Sequence, residues 1–216
     1  MVARVMHNFS LKDLIIINPR ENWLNDKSIN SAKKASNIIN KVKIYNNLDE
    51  ALKKFTYVIA MSNRARCINK SFTNNFINIK KILNTSNKVA IIFGPENSGL
   101  SNEDLQLADL IFSINTNNNS NSLNLSHAVT IISHKIFEFN ESKNKGIETK
   151  KNKFVNKDQL SKYFDFLFKN LSTKNFFVPK EKTKSMKNNI YSIYLKSALT
   201  KKELQTLWGI TKKLIK

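Results

Sequence analysis

Short apolar runs alternate with stretches of helical periodicity through the first half of the chain. Runs apolar enough for buried strands occupy residues 14–18, 42–45, 57–61, 89–93 and 110–114. Helical patterns fall between most of them, at residues 29–40, 47–54, 76–83 and 103–108, the last preceded by Ser101 with Asp104 at capping-box spacing. Strands that alternate with helices are typical of a parallel sheet. We therefore predict an α/β fold with a parallel sheet flanked by helices.

A longer helical pattern follows an asparagine-rich loop at residues 115–121. It covers residues 122–139, and its apolar side chains recur on one stripe: Leu125, Val129, Ile132, Ile136 and Phe139. A helix with one apolar stripe buries that face. Because His127 and His134 fall outside the stripe, we expect both to be exposed or interfacial, and we place neither in the functional site.

The rest of the chain has a different pattern. Residues 141–157 lose apolar periodicity and gain charge, which predicts a linker. Two helical stripes follow, made of Leu160, Tyr163, Phe164, Leu167 and Leu171 and, after a Thr200–Glu203 capping box, of Leu204, Leu207, Trp208 and Leu214. Aromatic rings can stack on bases, but rings at helical spacing more often form a core. We predict a main domain at 1–140, a charged linker at 141–157 and a small helical extension at 158–216.

Charge favours a polyanionic partner such as nucleic acid, with 36 Lys and Arg against 16 Asp and Glu and a formal net charge of +20. Lysine, asparagine and isoleucine dominate throughout, however, as in A+T-rich coding sequences, so a basic surface without function explains the charge equally well. Arginine is more informative, because guanidinium binds phosphate in a bidentate manner. Arg64 and Arg66 directly follow a predicted strand, which makes them candidates for binding the RNA backbone or for surface ion pairs.

Several function classes are disfavoured. The single cysteine, Cys67, leaves no internal disulfide framework and is expected to be a packing residue, and the three histidines form no metal-ligand pattern. The sequence has neither a signal peptide nor an apolar run of membrane-spanning length, so we expect a soluble, cytoplasmic protein. A nucleotide-binding enzyme of another fold is disfavoured because neither a GxxxxGK[ST] nor a GxGxxG motif occurs.

Two of the chain's four glycines bracket a loop that directly follows the predicted strand at 89–93. Gly94 and Gly99 enclose Pro-Glu-Asn-Ser, and a second unusual string, SLNLSHAV, begins at Ser122. Glycine lets a ligand approach the backbone where a Cβ atom would collide. The alternative is a tight turn without a ligand, since Gly and Pro mark turns more often than sites.

The strings FGPENSGL and SLNLSHAV together resemble motifs two and three of the SPOUT RNA methyltransferases of the TrmH/TrmJ type. The resemblance implies an α/β fold with a C-terminal trefoil knot, S-adenosylmethionine as cofactor, no metal, and transfer of a methyl group to a ribose 2′-hydroxyl of RNA. The helical extension is similar to one in the TrmJ-like subgroup, where it assists tRNA binding. For this chain the resemblance implies a homodimer that acts on tRNA, at the cytidine or uridine in position 32 of the anticodon loop.

The resemblance also assigns residues. The cofactor pocket of the family falls on Met61, Ser62, Asn63, Gly94, Gly99, Ile114, Asn121, Ser122 and Leu123. Met61 departs from the small polar residue often found at its position. The catalytic residues of the family fall on Arg4, Glu96, Ser122 and Asn124. Arg4 is expected to position the reacting ribose or its phosphate, the other three to orient the site, and Asn124 also has the character of a helix N-cap.

The amino terminus departs further from the family pattern. Arg4 fits the motif-one arginine, but the strand and the asparagine that precede it in the family would lie before Met1, so about ten or more residues are expected to be missing. We expect the chain as it stands to be poorly active and less stable than a longer form. Because of this departure, a non-catalytic RNA-binding descendant stays open as an alternative. A related rRNA 2′-O-methyltransferase is a second alternative.

Overall fold

The computed structural model describes residues 1–23, 25–63, 70–85, 88–117, 123–143, 154–195 and 199–215. The helices are α1 (Val2–Asn8), α2 (Asp26–Ala32), α3 (Ser36–Ile39), α4 (Leu48–Leu52), α5 (Phe76–Thr85), α6 (Asn102–Leu107), α7 (Leu125–Lys143), α8 (Lys157–Thr173), α9 (Thr183–Leu195) and α10 (Lys201–Ile215). The strands are β1 (Ile15–Ile17), β2 (Lys43–Tyr45), β3 (Tyr57–Met61), β4 (Ser71–Thr73), β5 (Val89–Phe93) and β6 (Leu110–Phe112). Turns of 3₁₀ helix occupy Lys33–Ala35 and Lys180–Lys182.

Contacts group the chain into two compact units. The first unit consists of Met1–Ala51, Pro95–Gly99 and Ile114–Thr149, and the second of Leu52–Gly94, Leu100–Ser113 and Lys150–Lys216. The chain therefore changes from one unit to the other after Ala51, at both ends of Pro95–Gly99 and after Ser113. The division into 1–140, 141–157 and 158–216 stays a prediction.

Small side chains pack the helices at the start of the first unit. Ala3 and Met6 of α1 are buried with Ala32, Ala35 and Ile38. The prediction of one continuous helix over 29–40 is wrong, because a 3₁₀ turn at Lys33–Ala35 separates α2 from α3. Side chains three residues apart eclipse in a 3₁₀ turn, which places Ala32 and Ala35 on one line against α1.

The first unit also contains a two-stranded parallel sheet and the long helix α7. Ile16 of β1 is paired with Ile44 of β2. In α7 the buried side chains include Val129, Ile132 and Ile136, which confirms the predicted stripe, and His127 and His134 are exposed as expected. The helix begins at Leu125 rather than at residue 122 and ends at Lys143, within the range predicted as linker.

A four-stranded parallel sheet with the order β4-β6-β3-β5 forms the centre of the second unit. The inner strand β3 is fully buried at Val58, Ile59 and Ala60, as expected for a parallel strand that reads as a continuous apolar run. The predicted strands are confirmed with small changes at their ends, and both sheets are parallel. The edge strand β4 was not predicted, because Ser71 and Phe72 are exposed and no apolar run marks it.

Helices α8, α9 and α10 enclose a second core of the same unit. Tyr163 and Phe164 of α8 are buried to 1% exposure, and the Tyr163 hydroxyl lies 3.0 Å from that of Thr211 on α10. The core interpretation of the aromatic stripe is therefore confirmed. Leu214, predicted on the second stripe, is 75% exposed, because it lies in the last turn of α10, past Leu204 and Trp208, which do pack.

The start of α8 is bound to the segment that precedes β3. The Lys157 amide donates a hydrogen bond to the Phe55 carbonyl over 2.9 Å, and the Asp158 amide donates one to the Lys53 carbonyl over 3.0 Å. Asn156 caps the helix in a reciprocal box with Gln159. The carboxyl-terminal helices are thus fixed to the sheet by backbone hydrogen bonds. No helix within the described ranges is long and apolar enough to cross a membrane.

Candidate active site

Strands β3 and β5 end side by side, because they are parallel and paired in register. Met61 lies opposite Phe93, so Ser62 and Gly94 begin neighbouring loops. The carboxyl edge of a parallel sheet is where α/β folds build ligand sites. The structure therefore brings together the second unit's residues that the family pattern assigns to the cofactor. Whether they bind it stays a prediction.

Hydrogen bonds fix the loop that follows β3. The Ser62 amide donates to the Phe112 carbonyl at the end of β6 over 3.1 Å. The Ser113 hydroxyl donates to the side-chain oxygen of Asn63, and the Ser113 amide donates to the Thr73 carbonyl over 3.0 Å. The ends of β3, β4 and β6 are thereby held to one another, which makes this edge a rigid base for a ligand.

In the first unit, the loop Pro95–Gly99 forms a closed turn. The Gly99 amide donates to the Pro95 carbonyl over 2.8 Å, and Gly99 has a φ of +68°. A Cβ atom at Gly99 would meet nothing within 4 Å, so backbone conformation, not space, requires glycine there. At Gly99 the turn interpretation thus explains the residue, and its assignment to the cofactor stays a prediction.

Asn124 connects this turn with the start of α7. Its side-chain nitrogen donates a short hydrogen bond to the exposed carboxylate of Glu96. Its side-chain oxygen accepts from the Ser126 amide over 2.9 Å and from the Ser126 hydroxyl over 2.6 Å. Asn124 therefore caps the helix, as predicted, and the structure brings two predicted catalytic residues into contact.

Leu123 and Ile114 are both half-buried in the first unit. Ile114 comes directly after β6 and its Ser113 anchor, and Leu123 directly before Asn124. Near Ile114, the Thr116 hydroxyl oxygen is buried, and it has no hydrogen-bond partner within the described part of the chain. A buried polar atom without a partner is costly, so Thr116 marks a place suited to a polar ligand group.

Arg4 lies on α1 with its side chain exposed. Its neighbours Ala3 and Met6 are buried and fix the helix, so Arg4 occupies the outward face. An exposed guanidinium on a fixed helix is free to bind phosphate or ribose. The structure does not place Arg4 in direct contact with Glu96 or Asn124 in any described hydrogen bond, and its catalytic role stays a prediction.

Some predicted residues lie outside the described part of the chain. They are the RNA-binding candidates Arg64 and Arg66, the packing residue Cys67, and the motif-three residues Asn121 and Ser122. Their roles stay predictions. Among the described residues, no group of three or more His, Cys, Asp and Glu is arranged to hold a metal ion.

Sequence analysis missed a buried charge at the opposite edge of the sheet. Asp109, 6% exposed, precedes β6. Its carboxylate accepts a hydrogen bond from the Val58 amide over 2.7 Å, and its two oxygens accept from the Lys157 ammonium over 2.5 and 2.7 Å. A carboxylate and a lysine so far apart in sequence give no local signal. This edge is the amino-terminal one, so within the second unit the pair lies at the edge opposite Ser62 and Gly94.

Lys70 and Tyr57 belong to the same buried region. The Lys70 ammonium donates to the carbonyls of Gln106 and Ala108 over 2.7 and 2.8 Å, at the end of α6. Burial lowers the pKa of Lys70 to about 8, although Asp109 acts in the opposite direction. Burial, with a smaller contribution from Asp109, raises the pKa of the Tyr57 hydroxyl well above its usual value.

Comparison with known proteins gives the family. A profile of the SpoU rRNA Methylase family matches residues 1–134. The tRNA (cytidine-2′-O-)-methyltransferase TrmJ of Methanocaldococcus jannaschii is 32% identical over 176 residues, which cover 78% of this chain and 75% of that protein. The enzyme of the same name from Sulfolobus acidocaldarius is 29% identical over 218 residues, covering 99% of this chain and 86% of that protein. The crystal structure of TrmJ from Z. mobilis ZM4 matches with a TM-score of 0.85 and 26% identity, over 100% of this chain and 92% of that one.

The parallel α/β fold and these matches define an RNA methyltransferase of the SPOUT type. The chain belongs to the SpoU rRNA methylase family. This confirms the predicted resemblance, the fold class and the S-adenosylmethionine-dependent methyltransferase activity. The trefoil knot itself stays a prediction.

Proposed function

We propose that this protein methylates the ribose 2′-hydroxyl of a cytidine or uridine in tRNA, at the first nucleotide of the anticodon loop. Relatives that match nearly its whole length carry the name tRNA (cytidine/uridine-2′-O-)-methyltransferase. The observation that carries the proposal is the hydrogen bond between Asn124 and Glu96. It presents a polar group pair at the start of α7, where the family pattern places catalytic residues.

The chain's groups fit S-adenosylmethionine. In the second unit, the loops that begin at Ser62 and Gly94 lie side by side at the carboxyl edge of the sheet and suit the edge of an adenine ring. In the first unit, Ile114 and Leu123 are half-buried apolar residues that the family pattern assigns to the cofactor. The Thr116 hydroxyl, which has no hydrogen-bond partner among the described residues, is a polar atom that a bound ligand would satisfy. We assign the cofactor to the residues named by the family pattern on these grounds.

When bound, S-adenosylmethionine supplies a methyl group whose bond to sulfur breaks as its carbon bonds to the 2′-oxygen. The protein must align that oxygen and let its proton leave. Arg4 serves as a positioning cation for the ribose or its phosphate, which a planar guanidinium binds through several N–H donors. Asn124 holds the Glu96 carboxylate in one orientation, and Ser122 is assigned to the same task by the family pattern.

Methyl transfer to purified RNA tests this proposal. The full chain is incubated at moderate salt with labelled S-adenosylmethionine and, separately, with bulk tRNA and with rRNA. We expect incorporation into tRNA. Incorporation only into rRNA would favour the related rRNA 2′-O-methyltransferase, and RNA binding without incorporation would favour the non-catalytic descendant. Binding alone decides nothing, because a chain of net charge +20 retains RNA at low salt.

We also propose a homodimer in the cytoplasm, where tRNA substrates are found. The half-buried ring of Phe9 packs on Phe137 of α7 with centroids 6.0 Å apart, and both line a shallow depression with His134 and Glu138. This apolar surface on the first unit is a candidate for contact with a second copy. Sedimentation equilibrium tests it: a monomer mass at micromolar concentration would exclude the dimer.

A further inference from the structure

The loop between α8 and the 3₁₀ turn at Lys180–Lys182 holds an exposed aromatic ring in a fixed position. Asn175 has a φ of +55°, and the Phe176 amide donates to the Leu171 carbonyl over 3.0 Å. Together they form the left-handed helix end known as a Schellman motif. The backbone of Phe176 is therefore set by the end of α8, yet the residue is 49% exposed.

Phe176 packs against the ring of its neighbour Phe177, which is itself buried. Phe177 is 7% exposed and packs against Phe168 of α8 with centroids 6.0 Å apart. Phe176 meets Phe177 edge to face, with centroids 5.4 Å apart and an interplanar angle of 85°. An exposed aromatic ring that is already ordered loses little conformational entropy on binding, so Phe176 is preorganised to contact a partner.

The charges around this ring identify the partner. Residues 174–187 contain five lysines and a single acidic residue, Glu181. The Lys187 ammonium lies 5.4 Å from the ring centroids of both Phe168 and Phe177, so Lys187 and Phe176 contact the same ring. An exposed aromatic ring in a lysine-rich segment matches a nucleic-acid strand, whose bases offer flat faces and whose phosphates are anionic.

We propose that Phe176 stacks on an unpaired base of the RNA substrate, and that Lys174, Lys180 and Lys187 bind the adjoining phosphates. These residues, with Phe177, are called the Phe176 platform. The proposal rests on the proposed function in one respect, that the substrate is RNA. It specifies a single-stranded segment, because the bases within a duplex are already stacked on their neighbours and cannot cover the ring.

Binding of two probes by the full chain tests the platform. The probes are a fluorescein-labelled single-stranded oligouridine and a blunt RNA duplex of equal length. We expect Phe176→Ala and Phe176→Leu to weaken binding of the single strand about ten-fold and to leave the duplex unchanged, since stacking on an aromatic ring is lost in both. Phe176→Trp should bind as well as the unaltered chain. Because leucine keeps the apolar packing, Phe176→Leu separates stacking from stability.

A matched control is Ile193→Ala, an apolar residue 65% exposed on α9 of the same helical group. It should bind both probes normally. Lys180→Gln should flatten the salt dependence of single-strand binding by about 0.7 in log–log slope, the value for one phosphate contact, whereas Phe176→Leu should leave that slope unchanged.

Normal single-strand binding by Phe176→Leu would overturn the proposal, as would an equal loss in Ile193→Ala. A Phe176 variant that changes the sedimenting mass but not RNA binding would also overturn it, in favour of a protein partner. Methyl transfer, measured in parallel on the unaltered chain, keeps the two proposals apart. Its absence would contradict the proposed activity while the binding comparison still decides the platform.

Discussion

Asn124 donates a hydrogen bond to the carboxylate of Glu96 while its own side-chain oxygen caps α7 through Ser126. One amide thus has two tasks, helix capping through its oxygen and orientation of a carboxylate through its nitrogen. The two tasks use different atoms, so substitution can separate them.

Asn124→Asp should keep the cap and lose the catalytic orientation. A carboxylate accepts the Ser126 amide as well as the amide oxygen does, and it suits a helix N-terminus, so we expect less than about 1 kcal/mol of lost stability. It cannot donate to Glu96 and repels it. Methyl transfer should fall about 10- to 100-fold, as expected when a reacting group is misplaced. Turnover and thermal unfolding measured on the same preparation check this.

The cap of another helix, α10, provides the control for the loss of a cap alone. Thr200→Ala removes the cap of α10, where the Thr200 hydroxyl accepts from the Glu203 amide over 3.3 Å. It should lose about 1 kcal/mol of stability and keep its turnover at saturating tRNA. If Asn124→Asp and Thr200→Ala had the same turnover, Asn124 would be a cap only.

Arg4→Ala should abolish most methyl transfer without affecting the fold. Arg4 is exposed on α1, and exposed substitutions change stability by no more than about 0.5 kcal/mol. Loss of the group that positions the ribose misplaces the reacting oxygen, which costs about 100-fold in rate. His7→Ala, which alters another exposed residue of the same helix, is the matched control. Similar kcat in both variants would exclude the assigned role of Arg4.

Lys157→Met should destabilise the protein strongly. It leaves Asp109, whose side chain is 4% exposed, without its ammonium partner, and an unpaired buried charge costs about 3–5 kcal/mol. Asp109→Asn combined with Lys157→Met should be more stable than Lys157→Met alone, because no buried carboxylate then lacks a partner. Urea unfolding of the unaltered chain, Lys157→Met and the double variant measures these differences. A double variant less stable than Lys157→Met would contradict the role given to the ion pair.

Lys70 should make stability rise with pH. Its pKa falls from 10.5 to about 8 on folding, mainly through burial, so the folded state binds fewer protons than the unfolded state between these values. The cost of burying the charged lysine is complete below pH 8 and disappears as pH approaches 10.5. Relative to Lys70→Met, the unaltered chain should gain about 1–3 kcal/mol across that window. Urea unfolding of both at several pH values checks the difference, and parallel curves would contradict it. Other titrating groups are common to both chains, so their contributions to the pH dependence of stability cancel in the comparison. They include Tyr57, whose raised pKa makes stability fall with pH above pH 10.

Local patterns predicted much of the fold. The strand from Tyr57 to Met61 and the strand from Val89 to Phe93 were predicted to the residue, because buried parallel strands are continuous apolar runs. The Ser101 capping box was also predicted and is present. The split between α2 and α3 was not, since the need to align Ala32 and Ala35 on α1 arises only from packing. The edge strand β4 was not predicted for a similar reason, because it forms by pairing with β6, whose residues are distant in the sequence.

The candidate site was predictable only through the family pattern. Spacing alone identifies two glycines and a loop, but not that Asn124 contacts Glu96 at a sequence separation of 28 residues. Phe176 is a candidate residue that helical periodicity does not indicate. The helical stripes drew attention to Tyr163 and Phe164, which are core residues, whereas the exposed ring lies in a loop where no periodicity marks it.

The chemical position of the transferred methyl group distinguishes ribose methylation from base methylation. tRNA labelled by the full chain with tritiated S-adenosylmethionine is hydrolysed completely in alkali, which cleaves after every ribose whose 2′-hydroxyl is free. If the protein methylates the ribose 2′-hydroxyl, the label will appear in alkali-resistant dinucleotides with cytidine or uridine at the 5′ position. Label released in mononucleotides would place the methyl group on a base and contradict ribose methylation.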